Sequence, residues 1–407
     1  MSAYHPLTEE EAISLARTIP GHFTDRARLS CREIGDGNLN LVFQVTDESS
    51  AQSIIIKQAV PYAKVVGESW PLSLNRARIE RQALEIQHRL CPDLVPKVYA
   101  YSDELAYTIM EDLSEYAIMR KGLIDGACYP RFAEHMGRFL ARTLFYTSDL
   151  GMNQQEKKEL AGRFINPDLC KITEDLIFED PYRLSANNNF PDNIADEAEA
   201  LRNDLPLQFE VALLREKFLT NGQALLHGDL HTGSVFVTPE STKVIDPEFA
   251  YFGPMGFDIG AVIGNLLLNY AAQPGWNGNG EELSTRQARL LDMAAEVWNR
   301  FESMFCELWD KDLVDEMAKT PGYQDYYLTQ VLRDAVGFAG CKMIRRIVGL
   351  AHVADIDQIQ DDRIREAAQR QALAIGKRLV RHHRSIHGVE DLRQLVYQTT
   401  SEKEVSL

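Results

Sequence analysis

Paired cysteines, long apolar runs and an excess of positive charge are all missing from this 407-residue chain. The six cysteines (Cys31, Cys91, Cys128, Cys170, Cys306 and Cys341) are scattered and form no Cys-x-x-Cys. That excludes a zinc-ribbon spacing and points to reduced thiols in a cytoplasmic chain. The longest apolar run, residues 259–268, is interrupted by Gly264 and Asn265 and is too short to span a bilayer. The first eleven residues hold neither a basic segment nor an apolar one, so no signal peptide is expected. Lys and Arg number 43 against 60 Asp and Glu, a formal net charge of −17. That sign argues against nucleic acid and against an anionic membrane as partners. There is no repeat and no low-complexity tract. What is present, 45% hydrophobic and 25% charged residues, suffices for a large core and for two or three domains or one bilobed fold.

The hydrophobic period changes part-way along the chain. Thr8 with Glu11 three residues on forms a capping-box signature, and residues 8–19 read as a short helix. Residues 41–45 and 53–57 read as strands about a polar turn at 47–52. Residues 76–90 have Ile79, Ala83, Ile86 and Leu90 on one helical face, ended by Pro92 and Pro96. Residues 98–102 and 105–110 suggest a hairpin. Beyond Glu111-Asp112-Leu113 helical patterns dominate: 130–147, 195–220 with a break at Pro206, 256–271, 285–310, 324–353 and 359–383. Residues 273–282, rich in Gly and Asn, read as a loop. The expected class is α+β: a small antiparallel β-rich lobe with one helix, residues 1–112, and a larger, mainly helical lobe, residues 113–407.

Within the helical part lies Leu226-His227-Gly228-Asp229-Leu230-His231, and seventeen residues after Asp229 begins Asp246-Pro247-Glu248. Asp229 follows one short apolar strand, and the carboxylate pair ends another. Side chains at i and i+2 of an extended segment point the same way, so Asp246 and Glu248 are expected to reach one divalent cation together. A lone carboxylate that positions an acceptor hydroxyl and a pair that holds magnesium on a nucleotide form the skeleton of phosphoryl transfer. The overall negative charge does not oppose this, because ATP needs only a local cationic surface. Gly35-Asp36-Gly37-Asn38-Leu39-Asn40 is either a plain hairpin turn or a phosphate cradle, and Asn40 stands where G-x-G-x-x-G would have its third glycine. Lys57, at the end of an apolar strand, is either an edge charge or a ligand of the α- and β-phosphates paired with a helix glutamate, Glu80 or else Glu85. Met110-Glu111-Asp112-Leu113 lies where an interlobe hinge would hydrogen-bond a purine. Asp258 reads as a helix cap that also buttresses the Asp229 loop, and His227 and His231 as structural hydrogen-bond partners. Arg345 and Arg346 interrupt an apolar helix. Adjacent helix positions diverge by about 100°, so at least one of them is expected to be buried, against a carboxylate of the chain or against substrate and the transferring phosphoryl group. His382, His383 and His387 suggest a solvated helix end.

These strings resemble the protein-kinase-like small-molecule kinases, the group of aminoglycoside phosphotransferases and choline kinases, whose shared marks are His227-Gly228-Asp229 and Asp246. Within that group residues 36–40, 226–234 and 246–250 and the twin Arg345-Arg346 are most similar to the methylthioribose kinase family, over essentially the whole chain. The resemblance implies a bilobed protein-kinase-like fold and ATP-dependent phosphorylation of the 1-hydroxyl of 5-(methylthio)-D-ribose, in methionine salvage. A kinase of another small hydroxylated acceptor, of aminoglycoside or choline type, is the alternative. The resemblance further implies that Gly37, Asn40, Lys57, the hinge residues Glu111, Asp112 and Leu113, and Asp246, Pro247 and Glu248 bind ATP. Asp246 and Glu248 would hold Mg²⁺, and Asp229 would orient or deprotonate the sugar hydroxyl. Arg345 and Arg346 would lie near substrate and phosphate, the segment 62–75 with Trp70 at its centre would cover the site, and the chain would form a homodimer. Protein kinases place a metal-binding Asn five residues after the catalytic Asp. Here that position is Ser234, a poorer magnesium ligand, and Glu248 would make up the charge, a combination that belongs to this family.

Overall fold

The computed structural model describes residues 4–34, 40–63, 67–277 and 280–404. The chain divides into two compact units, one of Met1–Tyr116 with Lys243–Ala250 and one of Ala117–Thr242 with Tyr251–Leu407.

The first unit holds α1 (Glu9–Arg17), β1 (Leu29–Glu33), β2 (Asn40–Asp47), β3 (Ser53–Ala59), β4 (Tyr62–Ala63), β5 (Gly67–Pro71), α2 (Asn75–Leu90), β6 (Val98–Ser102) and β7 (Tyr107–Glu111). Its five-stranded sheet runs β1-β2-β3-β7-β6, and every adjacent pair is antiparallel. Phe43, Val45, Ile54, Ile56 and Ile109 alternate onto one face and pack with Leu7, Ala12, Ala16 and Ile19. The capping box forms as expected: the Thr8 N–H donates to Glu11 Oε2 at 2.9 Å and the Glu11 N–H to Thr8 Oγ1 at 3.2 Å. Because side chains alternate along β3, Lys57 leaves the sheet on the face opposite Ile56. The segment 62–75 contains the small β4–β5 hairpin. The Trp70 side chain and residues 35–39, Gly37 included, lie outside the described positions.

The second unit holds β8 (Ala117–Ile118), α3 (Met119–Ile124), α4 (Phe132–Tyr146), α5 (Gln154–Arg163), α6 (Pro167–Thr173), α7 (Ala195–Asn203), α8 (Leu205–Thr220), β9 (Ala224–Leu225) and β10 (Val235–Val237). After β11 (Thr242–Val244), which leads into the segment of the first unit, come β12 (Phe252–Gly253), α9 (Met255–Asn277), α10 (Glu281–Asp312), α11 (Tyr323–Val348), α12 (Ala354–Asp357), α13 (Asp362–His382) and α14 (Val389–Glu404). Helices α9 and α11 approach closely because α9 presents glycine. A Cβ at Gly260 would lie 2.5 Å from the Ala335 carbonyl oxygen, and one at Gly264 would lie 2.8 Å from that of Ala339.

Two expectations are corrected here. Of the stretch expected as a loop, residues 273–282, Gln273–Asn277 is the last turn of α9 with Pro274 inside the helix, Glu281 and Glu282 open α10, and residues 278 and 279 lie outside the described positions. Pro274 has no N–H to give the Tyr270 carbonyl four residues back, and Gln287 Nε2 donates to that oxygen instead at 3.2 Å. Trp276 Nε1 donates to the Asp355 carbonyl at 2.7 Å, tying the turn down. His383 is not solvated: it is buried, with Nε2 3.2 Å from Glu210 Oε2. Segment 255–276 is long and apolar enough to cross a membrane by composition, and its most apolar window is wholly buried inside the protein.

Candidate active site

Each unit gathers its own set of polar groups. In the first, Lys57 Nζ donates to Glu80 Oε1 of α2 at 2.7 Å and also pairs with Asp246. Burial raises the Glu80 carboxyl and Lys57 opposes that rise. Glu85, the other helix glutamate, pairs with Arg81 instead. Asp246 and Glu248 do not sit on an extended strand. Asp246 is left-handed, with φ 73°, a conformation Asp tolerates better than most residues, and Pro247–Phe249 forms a 3₁₀ turn that packs against α2. The two carboxylates consequently take different partners. Asp246 keeps a 40% exposed side chain beside Lys57. Glu248 is buried, 3.4 Å from Arg76 Nε, and accepts from Asn40 Nδ2 at 3.3 Å. Arg76 Nη2 donates to Asn40 Oδ1 at 3.2 Å, closing a triangle.

The residues expected at the hinge use their polar side chains internally. Glu111 Oε2 accepts from the Lys97 N–H at 3.1 Å and pairs with Lys243 Nζ at 3.2 Å. Asp112 accepts from Gln44 Nε2 at 2.6 Å and from the Ser114 N–H at 2.9 Å. Leu113 is buried.

In the second unit β9 delivers the chain into a loop shaped by Gly228 at φ 87°, where a side chain would be strained. Asp258 sits in the first turn of α9 but does not cap it. Its two oxygens take the His227 N–H at 2.6 Å and the Gly228 N–H at 3.0 Å. Burial pushes Asp258 up to about 6 and those two N–H groups oppose the rise. His227 Nδ1 accepts the Asp229 N–H at 3.3 Å.

Asp229 is engaged at both oxygens. Oδ1 lies 3.0 Å from Lys342 Nζ and 3.8 Å from Arg345 Nη2, and Oδ2 lies 3.3 Å from His231 Nε2. Burial would raise this carboxyl, but Lys342, His231 and Arg345 hold it well below the usual range. Burial lowers His231 to about 4 despite Asp229, so the imidazole is neutral near pH 7. Its Nδ1 accepts the N–H groups of Gly233 at 3.0 Å and Ser234 at 3.1 Å. The ring proton is therefore on Nε2, aimed at Asp229. Both twin arginines are buried. Arg345 faces Asp229, and Arg346 donates to the carbonyls of Ala351 at 3.2 Å and His352 at 3.4 Å. Arg120 pairs with Asp355 at 3.2 Å and donates to Asn265 Oδ1 at 3.0 Å.

An ionised carboxylate held by a cation, in one unit, and a Lys–Glu pair beside an open carboxylate, in the other, are the parts phosphoryl transfer requires. The profile of the phosphotransferase enzyme family matches residues 30–300. A methylthioribose kinase of Geobacillus thermodenitrificans is 54% identical over 399 residues, 98% of this chain and 98% of its own. One of Bacillus cereus is 48% identical over 398 residues, again 98% of each. The chain belongs to the methylthioribose kinase family. It is a small-molecule kinase of the protein-kinase-like fold, with ATP as co-substrate. In this methylthioribose kinase relative the sequence reading missed Lys342, Arg76 and Arg120. Lys342 carried a usable signal: with Arg345 and Arg346 it stands at i, i+3 and i+4 of an apolar helix, so all three share a face.

Proposed function

We propose that this kinase transfers the γ-phosphoryl group of ATP to the 1-hydroxyl of 5-(methylthio)-D-ribose, in methionine salvage. The observation that carries the acceptor is the 54% identity to a methylthioribose kinase over nearly the full length of both chains. In the transfer a bond forms between the acceptor oxygen and the γ-phosphorus while the bond to the β–γ bridging oxygen breaks, and ADP leaves. The hydroxyl proton passes to the Asp229 carboxylate and on to water. A carboxylate held this acidic is a weak base, which suits a loose transition state where orientation counts for more than early deprotonation. Asp229 orients the hydroxyl, and Arg345 and Arg346 supply positive charge for substrate and phosphoryl oxygens.

Lys57, positioned by Glu80, takes the α- and β-phosphates. Gly37, Asn40, Pro247 and the backbone of Glu111, Asp112 and Leu113 complete the ATP contacts. Asp246 suits a hard cation, since it is an open carboxylate with a single ammonium against it. Asp246 would hold Mg²⁺, which when bound neutralises phosphate charge; Glu248 would join it as a ligand only on leaving Arg76 and Asn40, which hold it here. A cytoplasmic homodimer that engages neither nucleic acid nor membrane completes the proposal, on the strength of the family resemblance and the charge balance.

An acceptor of aminoglycoside or choline type is disfavoured by the relatives and by chemistry, because Lys342 and Arg345 beside Asp229 would repel a cation. The test is ADP release from Mg-ATP with 5-methylthioribose, ribose, choline and kanamycin as acceptors. Turnover with 5-methylthioribose alone is expected. Preference for any other acceptor overturns the proposal.

A further inference from the structure

We infer that Lys342 is a positioning residue for phosphoryl transfer, the counter-ion that keeps Asp229 ionised and turned for the acceptor hydroxyl. The inference rests on the role proposed above for Asp229. Lys342 lies in the C-terminal third of α11, 2% exposed, and an unpaired ammonium there would be costly. Its Nζ touches Asp229 Oδ1 at 3.0 Å and sits 4.5 Å from the Phe257 ring centroid, a cation–π placement. Lys342 hydrogen-bonds Oδ1, with Arg345 Nη2 3.8 Å from the same oxygen, and His231 Nε2 stands 3.3 Å from Oδ2, so both carboxylate oxygens are held from inside the fold. That leaves the remaining lone pairs for substrate and removes the freedom of the group to rotate. A single carboxylate-to-hydroxyl bond would not need two internal donors unless its direction mattered.

The charges around Lys342 come from three elements: Asp229 and His231 from the loop, Asp258 from α9, and Arg345 and Arg346 from α11 itself. Burial, helped by the two arginines and opposed mainly by Asp229, pushes Lys342 down to about 8. A lysine lowered this way is protonated near neutrality and loses its charge as pH rises through that value. The pairing with Asp229 is thus complete below it and lost above it.

The experiment compares wild type, Lys342→Met and Lys342→Arg in steady-state kinetics from pH 6 to pH 10. Lys342→Met is expected to lower kcat about a hundredfold, the scale of losing one charge-stabilising donor, with KM for ATP unchanged. Wild type should lose kcat/KM for the acceptor above about pH 8. Lys342→Arg, whose charge does not titrate there, should keep measurable activity and show no such alkaline loss. A Lys342→Met enzyme within threefold of wild type, or a Lys342→Arg enzyme with the wild-type alkaline fall, overturns the inference. If Lys342→Met does not fold, the pH profile of Lys342→Arg still decides. If wild type prefers a different acceptor, the proposed substrate fails, and the same variants assayed on that acceptor test Lys342 separately.

Discussion

At Asp229 the geometry separates charge from shape. Asparagine has the same size and can still accept from Lys342 at one oxygen, yet it brings an amide N–H₂ towards the proton on His231 Nε2 and lacks the negative charge that Lys342 and Arg345 surround. Asp229→Asn should therefore lower kcat by about a thousandfold, within the range for losing a positioned acid–base group, while KM for ATP stays within about twofold of wild type. Steady-state assays with ATP varied at saturating acceptor measure both. A rate within tenfold of wild type would remove Asp229 from the chemistry. The Lys57 pair was legible only in part: a lysine ending an apolar strand called for a helix glutamate, but the sequence left Glu80 and Glu85 both open, and the structure gives Glu80 to Lys57 and Glu85 to Arg81. The partners of Asp246 and Glu248 were not. The i, i+2 rule presumes extended backbone, and a left-handed Asp246 followed by a 3₁₀ turn sends Glu248 to Arg76 and Asn40. Lys342 shares a helix face with the twin arginines, but helical phase alone names no partner for that face, and Asp229 lies 113 residues away in sequence.

Among the elements, the seam between α9 and α11 sets where Asp258 and Lys342 stand. At Gly260 an added methyl would meet Ala335 and Ala339 backbone atoms at 2.5 and 2.9 Å, which no rotamer change relieves. Gly260→Ala should destabilise the protein by about 1–3 kcal/mol, as overpacking does, despite alanine's better helix propensity. Gly162→Ala, in α5 with nothing within 4 Å, should instead gain up to about 1 kcal/mol from propensity alone. Urea midpoints at unchanged slope read out both, and a stabilised Gly260→Ala would show that the seam has room. Helix positions were legible from periodicity, but the end of α9 was not. Pro274 and the Gly-Asn stretch signal a break, and what overrides them is a tertiary hydrogen bond from Gln287 to the carbonyl that Pro274 leaves unpaired.

For the molecule as a whole, the segment Lys243–Ala250 belongs to the first unit although its neighbours in sequence belong to the second. The Val244 N–H donates to the Leu94 carbonyl at 2.7 Å, and Lys243 Nζ reaches the Val95 carbonyl and Glu111, both at 3.2 Å. Linear order hides such an exchange, because nothing local marks a short segment as a partner of residues about 150 positions earlier. The proposed nucleotide ligands are thereby collected in one unit, and Asp229 and Lys342 in the other. Binding that favours the folded state adds RT ln(1 + [L]/Kd), about 2.7 kcal/mol at a hundredfold excess over Kd. Mg-ATP should therefore raise the unfolding temperature of Asp229→Asn as much as that of wild type, and should fail to raise that of Lys57→Ala. Each variant is compared with its own nucleotide-free scan, because losing Lys57 also leaves Glu80 and Asp246 without their shared cation and lowers the baseline. Calorimetry with and without Mg-ATP tests the division of labour directly. A full shift in Lys57→Ala, or none in Asp229→Asn, would mean that nucleotide binding does not depend on the first unit's lysine as the paired carboxylates imply.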